Sequence, residues 1–203
     1  MISINGSSGG GQMLRTALSL SAVLGKEFEF TDIRGAREKA GLARQHLTCV
    51  RAVAELCNAE VEGAVLGSTD LVFKPREVVS KNRFVYDVGS AGSVSLVFQT
   101  IFPVLCFARH EASVELIGGT NVAWSPSADY IQNVFLPLAE KFGARASFEI
   151  TRRGWFPKGG GRLKASVLPV KSLHSADFQQ KGLLKEVRAS VVSSNLPSSV
   201  NVK

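Results

Sequence analysis

The sequence predicts an α/β (α+β) fold built from repeated βαβαββ units, each a sheet with helices packed on one face. Three observations carry this expectation: strand-like runs interleave with helical runs, the same order of elements occurs twice, and a Gly/Ser-rich turn opens the first helix of each round (Gly9-Gly10-Gly11, then Gly89-Ser90-Ala91-Gly92-Ser93).

In the first unit, approximately residues 1–78, strand 2–5 leads to a helix over 12–25. Apolar residues at helical spacing (Met13, Leu14, Ala17, Leu18, Leu24) and a stop at Gly25 support it. The alternation Phe28-Glu29-Phe30-Thr31-Asp32-Ile33 predicts a strand over 27–33. Leu47, Val50, Val53, Ala54 and Cys57 give a helix over 42–58, and short apolar runs give strands 60–66 and 69–74. The second unit, approximately 79–170, repeats the order: strand 83–88, helix 91–109, strand 113–117, helix 126–142, strands 145–151 and 162–168. Ser125 with Pro126 at the first helical position predicts the cap of its second helix. Residues 171–181 are polar and irregular, as in a linker, and 184–192 reads as a further strand.

The chain has 203 residues, of which 45% are hydrophobic, enough to fill a core, so disorder is excluded. A net charge of +7 favours a polyanionic partner. Cys49, Cys57 and Cys106 are odd in number and lack ligand spacing, which argues against a disulfide framework or structural zinc. The first six residues do not read as a signal peptide, and the longest apolar run, Val94–Ala108, is too short to span a membrane. A soluble intracellular protein is the expectation.

Several segments suit the binding of anions. Gly9-Gly10-Gly11 running into a helix leaves backbone N–H groups free at a positive dipole end, with Gln12 and Arg15 one turn apart as further donors. A plain tight turn explains the glycines equally well, and no Lys-Ser or Lys-Thr follows them as a P-loop requires. Arg34, Arg37, Lys39 and Arg44 concentrate positive charge before the second helix, where guanidinium groups could chelate phosphate oxygens; on charge alone a solvated loop is the simpler account, but Gly35 and Gly41 within it favour a shaped binding loop. Arg152, Arg153, Lys158 and Arg162 interleave with Trp155 and Phe156, a pattern that suits RNA and equally a long hairpin covering a core edge. Among the histidines, His46 adjoins the basic loop, His110 follows a helix as a cap would, and His174 lies in the linker. Gly118-Gly119-Thr120-Asn121 has no structural account from sequence.

These segments together resemble one family. Gly9-Gly10-Gly11-Gln12-x-Leu14-Arg15, the run from Ile33-Arg34 through Arg37, Lys39, Gly41-Leu42 and Gln45-His46-Leu47, Val61 to Thr69, Gly89 to Gln99, Gly118-Gly119-Thr120, and Arg153-Gly154-x-Phe156-Pro157-x-Gly159-Gly160-Gly161 are collinear with motifs of the RNA 3′-terminal phosphate cyclases. The resemblance implies repeated βαβαββ units, an architecture shared with the enolpyruvyl transferases, whose motifs are not present. Residues 1–178 would form the large domain, and 179–203 the start of an incomplete inserted domain.

It also implies an enzyme of the ATP-dependent ligase class, acting in RNA processing with ATP and Mg²⁺ or Mn²⁺. Such enzymes convert an RNA 3′-phosphate end to a 2′,3′-cyclic phosphate through enzyme-AMP and RNA-adenylate intermediates, covalent catalysis splitting the transfer into two easier steps. By position, Gly10, Gly11, Gln12, Arg15, Arg37 and Gln99 would bind the nucleotide and its phosphates, and Arg34, Gln45, His46 and Arg153 would bind RNA. The nucleophilic histidine would lie beyond residue 203, so this chain is expected to be an inactive fragment prone to self-association or homodimer formation. Its location would be cytoplasmic, or nuclear in a eukaryote. Ser8 stands where the family usually carries an acidic residue, which puts metal handling in question and favours the alternative of a non-catalytic cyclase-like RNA-binding protein of ribosome biogenesis.

Overall fold

The computed structural model describes residues 1–77, 81–180, 182–197 and 199. The expected boundary between the units, near 78 and 79, and Lys181 of the expected linker lie outside the described residues.

The first unit runs β1 (Ile2–Asn5), α1 (Gly11–Leu24), β2 (Phe28–Thr31), α2 (Arg44–Leu56), β3 (Glu60–Glu62) and β4 (Leu71–Lys74). The second runs β5 (Arg83–Asp87), α3 (Val94–Cys106), β6 (Ala112–Gly118), α4 (Ala128–Tyr130), a π-helical stretch (Ile131–Phe135), α5 (Leu136–Lys141), β7 (Ala146–Arg152) and β8 (Gly161–Val167). Each forms one four-stranded sheet, ordered β1-β2-β4-β3 and β5-β6-β8-β7. The first pair is parallel and the others antiparallel in both sheets, so the duplication extends to strand pairing.

Alternation decides which face of each sheet is covered. Phe28 and Phe30 of β2, Leu71 and Phe73 of β4, and Leu163, Ala165 and Val167 of β8 are buried, while their neighbours face outward. Phe28 stacks on Phe73 with ring centroids 5.5 Å apart. Helices α1, α2 and α3 pack against one another, and one apolar core joins the two units. Ser19 Oγ on α1 donates to the Thr100 carbonyl on α3 at 2.7 Å, tying the units at their seam.

Gly25 ends α1 in the left-handed conformation, as its position predicts. Three expectations are corrected. The cap after the Gly118 segment is Ser127, whose Oγ accepts from Tyr130 N at 3.1 Å; Ser125 Oγ instead donates to the Val122 carbonyl, because the helix starts at Ala128. His110 is no cap: α3 ends at Cys106, capped by Phe107. The strand expected over 184–192 does not form, since those residues find no partner strand and alternation alone cannot satisfy a backbone ladder. No helix among the described residues is long and apolar enough to cross a membrane.

Candidate functional site

The N-terminal ends of α1, α2 and α3 line a single cleft of about 870 Å³ at the seam between the units. Gly10 caps α1 and Ala43 caps α2 without any side-chain hydrogen bond, so first-turn N–H groups remain free to meet an anion. The third start is capped internally, Ser93 Oγ accepting from Leu96 N at 3.2 Å.

The side chains of the first unit complete a cationic wall. Arg15, only 8% exposed, donates from Nη2 to Gln12 Oε1 at 2.6 Å, while its Nε is buried without a partner. Burial lowers the Arg15 pKa, an energetic strain that a nearby anion would relieve. Arg34 donates to the Gly41 carbonyl at 2.8 Å, which folds the basic loop back on itself with Arg34 at φ 58. Arg37 stands over the glycine turn: a Cβ placed on Gly10 would lie 3.5 Å from its Nη2. Gln45 Oε1 accepts from Ser93 N at 2.7 Å, which fixes its amide and leaves Nε2 as a donor at the cleft.

His46 is the most constrained member. A Cβ on Gly11 would lie 2.0 Å from His46 Nε2, so only glycine lets the imidazole close against the start of α1. The ring is 9% exposed, its Nδ1 has no hydrogen-bond partner, and burial, then Arg34 and Arg15, hold its pKa down at about 4. It is therefore neutral near pH 7.

The opposite wall comes from the second unit: Ala91, Gly92, Ser93, Leu96, Val122, Ala123, Trp124, Ser125 and Phe156. The Gly118 segment now has its account. Thr120 is buried; its N–H donates to the Gly154 carbonyl at 2.8 Å and its Oγ1 accepts from Gly154 N at 3.0 Å. Beside it, Arg153 donates from both terminal nitrogens to the Asp129 carboxylate, each at 2.6 Å, and Asn121 Nδ2 donates to Asp129 Oδ2 at 3.1 Å. Arg153 holds Asp129 well below the usual carboxylate range, at about 2.

Of the residues expected to bind, the cleft gathers Gly10, Gly11, Gln12, Arg15, Arg34, Arg37, Gln45 and His46. It does not gather Arg153, which is engaged by Asp129 outside the cleft lining, nor Gln99, which lies on α3 outside that lining with Oε1 buried and unpartnered. Of the paired aromatics expected to stack on bases, Phe156 lines the cleft, whereas Trp155 is half-buried and bridges to Gly159. Trp124 lines the cleft too, and nothing in the sequence around it marks it out, because the left-handed turn that carries it has no local signature.

Among the described residues, no carboxylate lines the cleft and no group of three or more His, Cys, Asp or Glu could hold a metal ion. The side chains here, guanidinium, amide and imidazole, suit phosphate oxygens and offer a divalent cation no anionic oxygen ligand. A second concavity, of about 800 Å³ on the outer face of the second sheet, mixes Glu111, Glu115 and Glu149 with Arg83 and Lys164 and offers a polyanion no net attraction.

A family model described as RNA 3'-terminal phosphate cyclase matches residues 7–200. The chain is similar to proteins named RNA 3'-terminal phosphate cyclase from Sulfurisphaera tokodaii (47% identity, covering 98% of this chain and 59% of that protein), Gloeothece citriformis (44%, 98% and 59%) and Pyrobaculum aerophilum (43%, 98% and 58%). It thus spans less than two thirds of the length of these relatives.

Proposed function

This chain belongs to the RNA 3′-terminal phosphate cyclase family, and from that premise we propose that its cleft receives the 3′-phosphate end of an RNA together with the phosphates of ATP. The observation that carries this reading is the convergence of three helix N-termini with Arg15, Arg34 and Arg37 in a cleft that no carboxylate lines among the described residues. Planar guanidinium groups and fixed N–H donors bind phosphate oxygens directionally, and helix dipoles add a favourable field.

The activity proposed for the whole protein is ATP-dependent closure of the 3′-phosphate to a 2′,3′-cyclic phosphate. A histidine of the whole protein, expected beyond residue 203, would attack the α-phosphorus of ATP and expel pyrophosphate. AMP then passes from that histidine to the RNA 3′-phosphate, and the neighbouring 2′-hydroxyl attacks this phosphorus, closing the ring and releasing AMP. This chain's residues would hold the phosphate still while that hydroxyl attacks, a positioning role that lowers the entropic part of the barrier. His46 contributes as a neutral hydrogen-bonding group against the phosphate site. The proposal extends to a large domain over 1–178 with the inserted domain starting near 179, and to a cytoplasmic or nuclear setting. Self-association would use Met13, Leu20 and Leu24, exposed on α1.

Equilibrium binding of a short oligoribonucleotide ending in a 3′-phosphate, against the same oligomer ending in a 3′-hydroxyl, tests the reading. The phosphorylated form is expected to bind at least tenfold more tightly, with the preference lost in Arg37→Ala; equal affinity for both ends would refute it. Ser8 and the absence of carboxylates from the cleft lining favour a second reading, RNA binding without catalysis. Incubation of the whole protein with ATP labelled at the α-phosphate separates the two: acid-labile covalent AMP is expected for the cyclase, and its absence would favour RNA binding without catalysis.

A further inference from the structure

Trp124 and Phe156 line the mouth of the cleft on the wall facing the arginines, and they are 101% and 82% exposed. A folded chain gains most from its aromatic rings by burying them, so two exposed rings at one cleft call for an explanation. Trp124 also sits at φ 61, a left-handed conformation that a bulky side chain adopts only under constraint.

The constraint is visible. Thr120 and Gly154 exchange hydrogen bonds, and Arg153 clasps Asp129, so the loop carrying Trp124 is braced directly to the loop carrying Phe156. Gly159, at φ +68, lets the second loop close on the 90–91 turn: a Cβ there would lie 2.5 Å from the Ser90 carbonyl oxygen. The two rings therefore stand on mutually fixed supports across from a phosphate site.

Resting on the reading that this cleft takes a phosphate-terminated RNA, we propose that Trp124 and Phe156 form an aromatic platform on which an unstacked nucleobase at the RNA 3′ end stacks. Every base offers a π-face, so such a platform tolerates sequence while adding affinity for RNA over free phosphate. Its place at an open mouth suits a polymer that continues into solvent, whereas a mononucleotide gains more from enclosure.

The test uses the chain as it stands. Fluorescence anisotropy at fixed salt measures its binding of a labelled 3′-phosphorylated oligoribonucleotide, of the same oligomer with abasic terminal nucleotides, and of ATP and inorganic phosphate as competitors. Trp124→Ala and Phe156→Ala alter exposed side chains; each is expected to weaken binding of the intact oligomer about tenfold. Neither should change the affinity for phosphate or for the abasic oligomer. With only two tryptophans in the chain, Trp155→Phe leaves Trp124 as the sole tryptophan, and with excitation selective for indole, quenching by the oligomer but not by phosphate is expected. Unchanged oligomer binding in both alanine variants, with Arg37→Ala still impaired, overturns the platform and leaves the phosphate cleft standing. A loss confined to ATP overturns the assignment to RNA. Failure of Arg37→Ala to weaken any of these ligands overturns the cleft reading itself.

Discussion

Acidification should destabilise this fold through one buried imidazole. His46 has a folded-state pKa of about 4 against an ordinary 6.5, caused chiefly by burial and then by Arg34 and Arg15. Between those values the unfolded chain binds a proton that the folded chain refuses, so the stability present above pH 6.5 is lost as pH falls towards 4. At 1.36 kcal/mol per pH unit of pKa difference, the loss relative to pH 7.5 reaches about 2 kcal/mol at pH 5 and about 3 kcal/mol at pH 4. Urea unfolding followed by circular dichroism across this range, for the chain and for His46→Gln, isolates the effect, because carboxylate titrations cancel in the difference. The wild type should lose stability more steeply than the variant by these amounts. Parallel curves would show that the imidazole titrates as if in water, and the argument for a dry, neutral His46 would fail. An added dianion sharpens the test: sulfate lodged near Arg15, Arg34 and His46 offsets their repulsion, so its affinity should rise from pH 7 to pH 5 in the wild type and stay flat in His46→Gln.

Three further outcomes are expected. Gly11→Ala should displace the His46 ring, costing roughly 1–3 kcal/mol by overpacking and weakening sulfate binding about tenfold or more; both are read by thermal melts with and without sulfate. Asp129→Asn should loosen the brace beneath Trp124, lowering oligoribonucleotide affinity severalfold while sulfate affinity stays constant, a split that general destabilisation would not produce. Cys49, Cys57 and Cys106 are buried with thiol pKa values pushed up to about 11, 11 and 12, so alkylation at pH 8 should be negligible until denaturant unfolds the chain.

The parts of the site legible in the sequence are those whose signal is local. A glycine run entering a helix and a cluster of arginines before the next one announce themselves within a few residues, and the structure places Gly10, Gly11, Gln12 and Arg15 in one cleft with Arg34, Arg37, Gln45 and His46, leaving Lys39 and Arg44 outside its lining. Trp124 was illegible because nothing near it in sequence says that its loop is braced by Arg153, 29 residues on in chain numbering. The charge of Arg153 is visible in sequence, but its pairing with Asp129, which sets it outside the cleft lining, is visible only in the fold. The expected strand over 184–192 had the right alternation and no partner, and Ser127 rather than Ser125 caps its helix because two serines flank Pro126 and only the fold shows where the helix begins.

The duplicated strand order has a consequence for how this molecule could be taken apart. The first copy furnishes the positive charges of the cleft, and the second furnishes the rings. Two repeats with one topology thus present different chemistries to the cleft, cationic and hydrogen-bonding in one and aromatic and apolar in the other. Neither copy alone encloses a binding surface, so severing the chain between them should abolish recognition even if each half kept its sheet. Mixing the halves should restore it, because the complementarity lies across the junction.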